Sequence, residues 1–266
     1  MRNSKPLESF IFTQRRREVQ RRGGQSLRLC SSLRLCVNIT SLASNIPTNK
    51  TSQSVIVILL LLVSLHSSAQ PFIDEIKQFK KQDSSQFPSK NAILFVGSSS
   101  FRKWTDVQSY FPGYPIINRG FGGSSLPDVI RYAGDIIYPY HPKQVVIYCG
   151  DNDLAASDTV TGETVFTRFK ILFGMIRQHL PSANIAFVSL KPSPSRLRTM
   201  KDEVIANDKI KDFISKQKNA SFIDVYHKML NPDGRPIPAI FESDSLHMNA
   251  GGYKIWQKEI QPHLIK

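Results

Sequence analysis

Cysteine is scarce in this sequence, with three residues among 266. Cys30 and Cys36 fall within the first 69 residues, so the rest of the chain has Cys149 alone and cannot form an intrachain disulfide. Cys149 ends the apolar run Val145-Val146-Ile147-Tyr148-Cys149. A thiol in that position is typical of a buried, unreactive cysteine and not of a nucleophile.

Long apolar runs are also missing. The most hydrophobic stretch, residues 55–65, is too short to span a bilayer, which takes about 20 apolar residues. It resembles the core of a signal peptide, because Lys50 precedes it and small residues precede a possible cut between Ala69 and Gln70. We therefore expect a signal-peptide-like segment over 55–69 and export to the periplasm or the medium, without stable membrane insertion after cleavage. A buried core helix is the alternative.

Residues 1–54 lack any sustained helical or strand periodicity. They are rich in Arg and Ser, and the segment Ser26-Leu27-Arg28-Leu29-Cys30-Ser31 is nearly repeated directly after itself. We interpret this stretch as an N-terminal extension that is disordered or that reflects a start site assigned too early. An organelle transit peptide is the alternative, since such peptides are Arg-rich, Ser-rich and poor in acids.

The chain has no block of like charge outside its N-terminal segment. The formal net charge is +14, but residues 1–69 hold ten of the 35 Lys and Arg and two of the 21 Asp and Glu, a net of +8. The remaining +6 is spread over nearly 200 residues. This distribution is typical of an ordinary, mildly basic globular surface, so nucleic acid is not an expected partner.

From residue 70 the sequence alternates short apolar runs with amphipathic segments. The apolar runs predict five strands, at 92–97, 115–118, 145–149, 184–190 and 221–225. The amphipathic segments predict helices at 71–82, 125–138, 163–180, 199–217 and 249–260. Strands that alternate with helices predict an α/β fold, in which a parallel sheet is covered on both faces. Residues 70–266 fit one such domain.

Four polar stretches follow predicted strands or precede the last predicted helix. They are Gly97-Ser98-Ser99-Ser100, the glycine-rich loop 118–125, Gly150-Asp151-Asn152-Asp153, and Asp244-Ser245-Leu246-His247. Each has an ordinary explanation as a helix cap or a turn. In parallel sheets, however, ligands bind at the carboxyl ends of the strands, where these stretches would meet.

The side chains of these stretches have complementary chemistry. A serine hydroxyl becomes a nucleophile only with a base, and His247 supplies an imidazole, the side-chain group that most often acts as a general base. Asp244, three residues earlier, is placed to hold that imidazole in one tautomer. A developing oxyanion needs fixed donors, for which the Ser99 N–H, a loop glycine N–H and the Asn152 amide are candidates.

On these residues the sequence resembles the SGNH, or GDSL-type, hydrolases, over about residues 91–260. The resemblance implies a flavodoxin-like three-layer α/β/α sandwich with a five-stranded parallel sheet, and a serine esterase of the platelet-activating-factor-acetylhydrolase-like branch that needs no metal or other cofactor. Carried over by position, it assigns the nucleophile to Ser99, the base to His247, the triad acid to Asp244, and oxyanion donors to Gly123 and Asn152.

One position departs from the family pattern. The first block of the family usually reads Gly-Asp-Ser, and Ser98 stands here in place of the aspartate. That aspartate is not the triad acid, so catalysis is still expected. The change leaves Ser98, Ser99 and Ser100 as neighbouring candidates, among which the alignment on Gly97 favours Ser99.

The substrate is less well defined than the chemistry. Short connections without a large apolar insertion favour a short acyl group, and the expected export favours an O-acetyl ester of a carbohydrate or another small molecule. A lysophospholipase or thioesterase of the same fold is one alternative, and a non-catalytic glycan-binding module is another. The oligomeric state is not indicated.

Overall fold

The computed structural model describes residues 70–266, so the expectations for residues 1–54 and 55–69 lie outside the described residues. The strands are β1 Ile93–Gly97, β2 Ile116–Gly120, β3 Gln144–Tyr148, β4 Asn184–Val188 and β5 Ala220–Ile223. The helices are α1 Ile73–Ser85, α2 Ser99–Arg102, α3 Val107–Tyr110, α4 Leu126–Ile136, α5 Asp151–Ala156, α6 Gly162–His179, α7 Met200–Ser215 and α8 Ala250–Ile260. Within residues 70–266 no helix is both long enough and apolar enough to cross a membrane.

All five strands pair in parallel in one sheet of order β2-β1-β3-β4-β5. This is the flavodoxin-like order, in which the winding direction reverses between β1 and β3. Ile93 of β1 lies opposite Ile116 of β2 on one side and Gln144 of β3 on the other. The expected α/β fold with a five-stranded parallel sheet is confirmed. The reversal puts the carboxyl ends of β1 and β3 beside a natural crevice.

An apolar core covers each face of the sheet, because successive side chains of a strand point to opposite faces. Leu94 and Val96 of β1 belong to one core, with apolar residues of α4, α6 and α7. Phe95 belongs to the other core, which contains the fully buried Trp104 and Trp256 and is closed by α8. The strands are therefore buried on both faces, which explains their nearly continuous apolar sequences.

β4 ends two residues before its apolar run does. The run 184–190 is a strand only as far as Val188. The Leu190 N–H donates to Oδ1 of Asn207 at 2.8 Å, and Nδ2 of Asn207 donates back to the Leu190 carbonyl at 3.0 Å. A side chain of α7 thus takes the place of a neighbouring strand. Periodicity does not reveal this exchange, because it reports the burial of a run and not the partner of its backbone.

Gly97 is the last residue of β1 and has a φ of +143°. L side chains rarely adopt this backbone conformation. A Cβ built on Gly97 would lie 1.9 Å from the carbonyl oxygen of Tyr148 in β3. Both the dihedral angle and the space therefore require glycine where β1 turns into the following serines.

We expect Gly97→Ala to lower the free energy of unfolding by about 3 kcal/mol or more, because the added methyl group collides with a fixed backbone atom. Gly134→Ala is the matched control. Gly134 is exposed in α4 with open space around it, so alanine should stabilise the helix by up to about 1 kcal/mol. Urea unfolding followed by tryptophan fluorescence measures both changes. Similar midpoints for the two variants would contradict the steric argument.

Candidate active site

The three serines after β1 differ in their surroundings. Ser98 has an extended backbone and is fully buried, and its hydroxyl has no hydrogen-bond partner among residues 70–266. Ser100 is also buried. Ser99 is partly exposed and is the first residue of α2, where it turns out of the sheet edge. Of the three neighbouring candidates, Ser99 is the one that faces the histidine.

A chain of two short contacts joins Ser99 to His247 and Asp244. Nε2 of His247 lies 3.0 Å from Oγ of Ser99, and Nδ1 lies 2.6 Å from Oδ2 of Asp244. The His247 side chain is 16% exposed, so the contact to Ser99 is partly shielded from water. The geometry is that of a nucleophile, a base and an orienting acid.

The charge of Asp244 sets the tautomer of the histidine. The pKa of the Asp244 carboxyl lies well below its usual value, mainly because the His247 side chain donates a hydrogen bond to it. Oδ1 of Asp244 also accepts hydrogen bonds from the N–H groups of Leu246 and His247, both at 2.9 Å. An ionised carboxylate only accepts, so Nδ1 of His247 carries the proton. Nε2 of the neutral ring is then free to accept the proton of Ser99.

The aspartate–histidine spacing does not by itself identify this pair. Asp224 and His227 have the same spacing after β5, and Nδ1 of His227 lies 2.7 Å from Oδ2 of Asp224. The His227 side chain is 71% exposed, and within residues 70–266 its other ring nitrogen has no hydrogen bond. The contact to Ser99 therefore distinguishes His247, and that contact is not visible in the sequence.

The glycine-rich loop after β2 is fastened to the end of β1. The Phe121 N–H donates to the carbonyl of Gly97 at 3.0 Å, and Oγ of Ser124 donates to the same oxygen at 3.1 Å. The Gly122 N–H is occupied by the carboxylate of Glu75, at 3.1 and 3.2 Å. Gly123 has a φ of +57°, and its N–H has no acceptor among residues 70–266. Its N–H is thus the unoccupied donor of the glycine pair.

Asn152 lies in the first turn of α5, directly after β3. Its Nδ2 donates to the carbonyl of Ser124 at 3.1 Å, which links the loop after β3 to the loop after β2. Its Oδ1 accepts a hydrogen bond from the guanidinium of Arg196 at 2.8 Å. The structure thus joins Ser99, His247 and Asp244 directly. It places Gly123 in the connection after β2 and Asn152 in the first turn of α5, both at the same sheet edge and without a hydrogen bond to Ser99.

A buried polar cluster lies behind α5, and the sequence does not predict it. It comprises Asp151, Lys191 and Glu203, all buried, together with their hydroxyl partners. Nζ of Lys191 lies 4.0 Å from Oδ2 of Asp151 and donates to Oγ of Ser193 at 2.7 Å. Burial lowers the pKa of Lys191 and raises that of Glu203 to about 8. Its members come from three separate segments, so no local sequence pattern marks it.

Neither a metal centre nor a reactive thiol is built into the described part of the chain. Within residues 70–266 no three His, Cys, Asp or Glu side chains group as metal ligands do. Cys149 is fully buried after β3, and burial raises its thiol pKa well above the usual value.

The sequence also matches a known protein family. A sequence model of the GDSL-like lipase/acylhydrolase family matches residues 94–255, which is more than half of the chain. This protein belongs to the GDSL-like lipase/acylhydrolase family and is a carboxylic ester hydrolase. The resemblance inferred from the sequence is thereby confirmed. Comparison with curated proteins finds no match.

Several solved structures have the same fold at low sequence identity. A Streptococcus pneumoniae protein provisionally described as a platelet activating factor has a TM-score of 0.64 and 17% identity, covering 82% of this chain and 100% of that one. A GDSL-like lipase from Bacteroides thetaiotaomicron has a TM-score of 0.61 and 16% identity, covering 71% of this chain and 96% of that one. A catalytic variant of an acetylxylan esterase from Geobacillus stearothermophilus has a TM-score of 0.53 and 14% identity, covering 66% of this chain and 94% of that one. At these identities the likeness shows the fold.

The carboxyl of Glu203 makes stability depend on pH. Its pKa is raised to about 8 in the folded chain, mainly by burial, whereas an unfolded chain titrates near the usual value of 4.5. Between these values the unfolded chain releases a proton that the folded chain retains, so the free energy of unfolding falls as the pH rises. We expect Glu203→Gln, which cannot ionise, to unfold at a higher temperature than the wild type at pH 8.

The advantage of Glu203→Gln should be much smaller at pH 5, because the wild-type carboxyl is then protonated when folded. Each unit of pKa shift corresponds to about 1.4 kcal/mol, so the gain at pH 8 amounts to a few kcal/mol. Thermal unfolding at pH 5, 6.5 and 8 measures it, with Glu163→Gln in α6 as an exposed control. A difference that stays constant over this range would refute the assignment.

Proposed function

We propose that this protein is a serine esterase that removes short acyl groups, acetyl above all, from a polar alcohol, with O-acetylated carbohydrate as the substrate class. The observation that carries the proposal is the continuous contact from Ser99 Oγ through His247 to Asp244, at 3.0 and 2.6 Å. A partly shielded serine with an oriented imidazole fits acyl transfer.

In the first half-reaction His247 Nε2 takes the proton of Ser99 while Oγ attacks the ester carbonyl. Asp244 stabilises the imidazolium that forms and keeps it aimed at Ser99. The negative charge on the carbonyl oxygen is met by the N–H groups of Ser99 and Gly123 and by Nδ2 of Asn152. His247 then gives its proton to the leaving alcohol, and an acyl-enzyme remains.

In the second half-reaction water replaces the alcohol. His247 takes a proton from the water, which attacks the acyl carbonyl of the Ser99 ester. The same donors hold the second oxyanion, and the proton returns to Ser99 as the carboxylic acid leaves. One histidine therefore acts as base and acid in turn, which requires the neutral tautomer that Asp244 favours.

A polar cleft beside the triad supports a polar alcohol. It has a volume of about 530 Å³, and Asp244 forms part of its wall. Lys103, Asp106, Glu242 and Asn249 also line it and offer donors and acceptors for hydroxyl groups. A long acyl chain needs an apolar groove instead. A solved structure that shares the fold is that of an acetylxylan esterase. The export expected from the sequence would bring this protein to extracellular or envelope glycans.

Hydrolysis of a p-nitrophenyl ester series from acetate to palmitate tests the acyl preference. We expect the highest kcat/KM on acetate and a steep fall with chain length, because a site that fits an acetyl group does not bury a long acyl chain. Ser99→Ala should lose about 10³-fold or more in kcat, since the nucleophile is removed. Ser98→Ala is the matched control, because the neighbouring hydroxyl has no partner among the described residues.

The outcomes of this series separate the candidate functions. If kcat/KM were highest on long-chain esters, the protein would be a lysophospholipase or thioesterase instead of an acetylesterase. Activity that survives in Ser99→Ala would contradict the assignment of the nucleophile. A folded protein without activity on any ester would favour a non-catalytic glycan-binding module.

The two aspartate–histidine pairs allow a test of the triad acid. Asp244→Asn presents an amide N–H to Nδ1 of His247, which shifts the ring proton to Nε2 and leaves no acceptor for Ser99. We expect kcat on p-nitrophenyl acetate to fall about 10²- to 10⁴-fold. Asp224→Asn changes the equally spaced, exposed pair and should leave kcat unaltered. Equal losses in both variants would show that neither aspartate acts specifically on Ser99.

A further inference from the structure

We infer that Arg196 is a positioning residue that fixes the side-chain amide of Asn152 in the one orientation that presents N–H groups to the oxyanion. The inference rests on the proposed function of Asn152 and goes beyond it. Arg196 lies in the 3₁₀ turn Pro194–Thr199 after β4, so it reaches Asn152 from 44 residues further along the chain.

The guanidinium of Arg196 makes two contacts with the start of α5. Nη2 donates to Oδ1 of Asn152 at 2.8 Å, and Nη1 donates to the backbone carbonyl of Asp151 at 2.6 Å. Arginine has donors and no acceptor, so only the oxygen of an amide can face it. The Nδ2 group of Asn152 must therefore point away from the guanidinium.

A second contact enforces the same orientation from the opposite side. Nδ2 of Asn152 donates to the carbonyl of Ser124 at 3.1 Å. If the amide were flipped, its oxygen would face the Ser124 carbonyl and its NH₂ group would face the guanidinium. Both contacts would then be repulsive. One N–H of Nδ2 is used on Ser124, and the other has no acceptor among residues 70–266 and is the donor assigned to the oxyanion.

The turn that carries Arg196 is itself anchored to the histidine side of the site. The Ser195 N–H donates to the carbonyl of Ser245 at 3.1 Å, inside the Asp244–His247 loop. Oγ1 of Thr199 donates to the Arg196 carbonyl at 2.9 Å, and Arg196 has non-helical dihedral angles within the turn. The turn therefore holds the oxyanion amide through a side chain and the histidine loop through its backbone.

The neighbouring Arg198 provides a matched control. Its guanidinium donates to Asp158 and to the carbonyl of Ala155, and its side chain is 57% exposed. It belongs to the same turn and also contacts the α5 region, yet it makes no hydrogen bond to Asn152. Arg198→Met removes the same charge as Arg196→Met at a distance of two residues.

We expect Arg196→Met to lower kcat on p-nitrophenyl acetate about 10-fold or more, with KM changed less than about threefold. The loss should stay below the 10²- to 10³-fold expected for deleting an oxyanion donor, here by Asn152→Ala. In the Asn152→Ala background Arg196→Met should cost no further activity, because Arg196 acts through that amide. Arg196→Lys, which keeps one donor group, should recover part of kcat, and Arg198→Met should match the wild type.

If the losses in kcat of Arg196→Met and Asn152→Ala multiplied in the double variant, the inference would be wrong, since Arg196 would then act independently of Asn152. So would an unchanged kcat in Arg196→Met. A wild type without Ser99-dependent turnover would refute the proposed function instead.

The side-chain ¹⁵N–¹H resonances of Asn152, assigned with Asn152→Ala, report on the amide without turnover. They should shift or broaden in Arg196→Met and stay unchanged in Arg198→Met, and their constancy in Arg196→Met would also overturn the inference.

Discussion

The site depends on the close junction of three strand ends at Gly97. Its carbonyl accepts hydrogen bonds from the Phe121 N–H and from Oγ of Ser124, both in the loop after β2. The next residue, Ser98, donates its N–H to the carbonyl of Tyr148 in β3 at 3.0 Å. The loops that carry Ser99 and Gly123, the proposed nucleophile and oxyanion donor, are thus tied to one backbone unit. A side chain on Gly97 would separate β1 from β3, so the geometry of the site and the packing of the sheet share one steric requirement.

The proposed base reaches this junction from a distant part of the chain. His247 lies 148 residues after Ser99 in the sequence. Its loop is closed by a hydrogen bond of 2.7 Å from the Glu242 N–H to the His247 carbonyl. Ser245 adopts a φ of +56° within this loop, a conformation that non-glycine residues reach at a cost. Asp244 offsets that cost, because its carboxylate binds two backbone N–H groups of the same turn. The acid that orients the imidazole therefore also shapes the loop that carries it.

The sequence predicts the sheet, and the polar residues that gather at its carboxyl edge, better than it predicts the contacts that support them. Apolar runs such as 92–97 mark buried strands directly, and polar residues after them mark the functional edge. The aspartate–histidine spacing is ambiguous, because Asp224 and His227 share it and differ only in what lies opposite the ring. The contact from Arg196 to Asn152 is absent from any local pattern, since it joins side chains from separate connections. Burial patterns reveal which face is covered, but not which distant side chain completes a hydrogen bond.

The buried ionisable groups behind α5 have a cost for stability and a consequence for the site. Burying Asp151, Lys191 and Glu203 costs free energy that an apolar core would not require. Within the cluster, the Tyr148 hydroxyl donates to Oδ2 of Asp151 at 3.0 Å, and Lys191 lies near the same oxygen. The residue before Asn152 is thereby held by its side chain as well as by its backbone carbonyl. An oxyanion donor is effective in proportion to how little it must move when charge develops. We therefore interpret the polar cluster as a rigid support for the proposed donor Asn152. This support lowers the stability of the surrounding core.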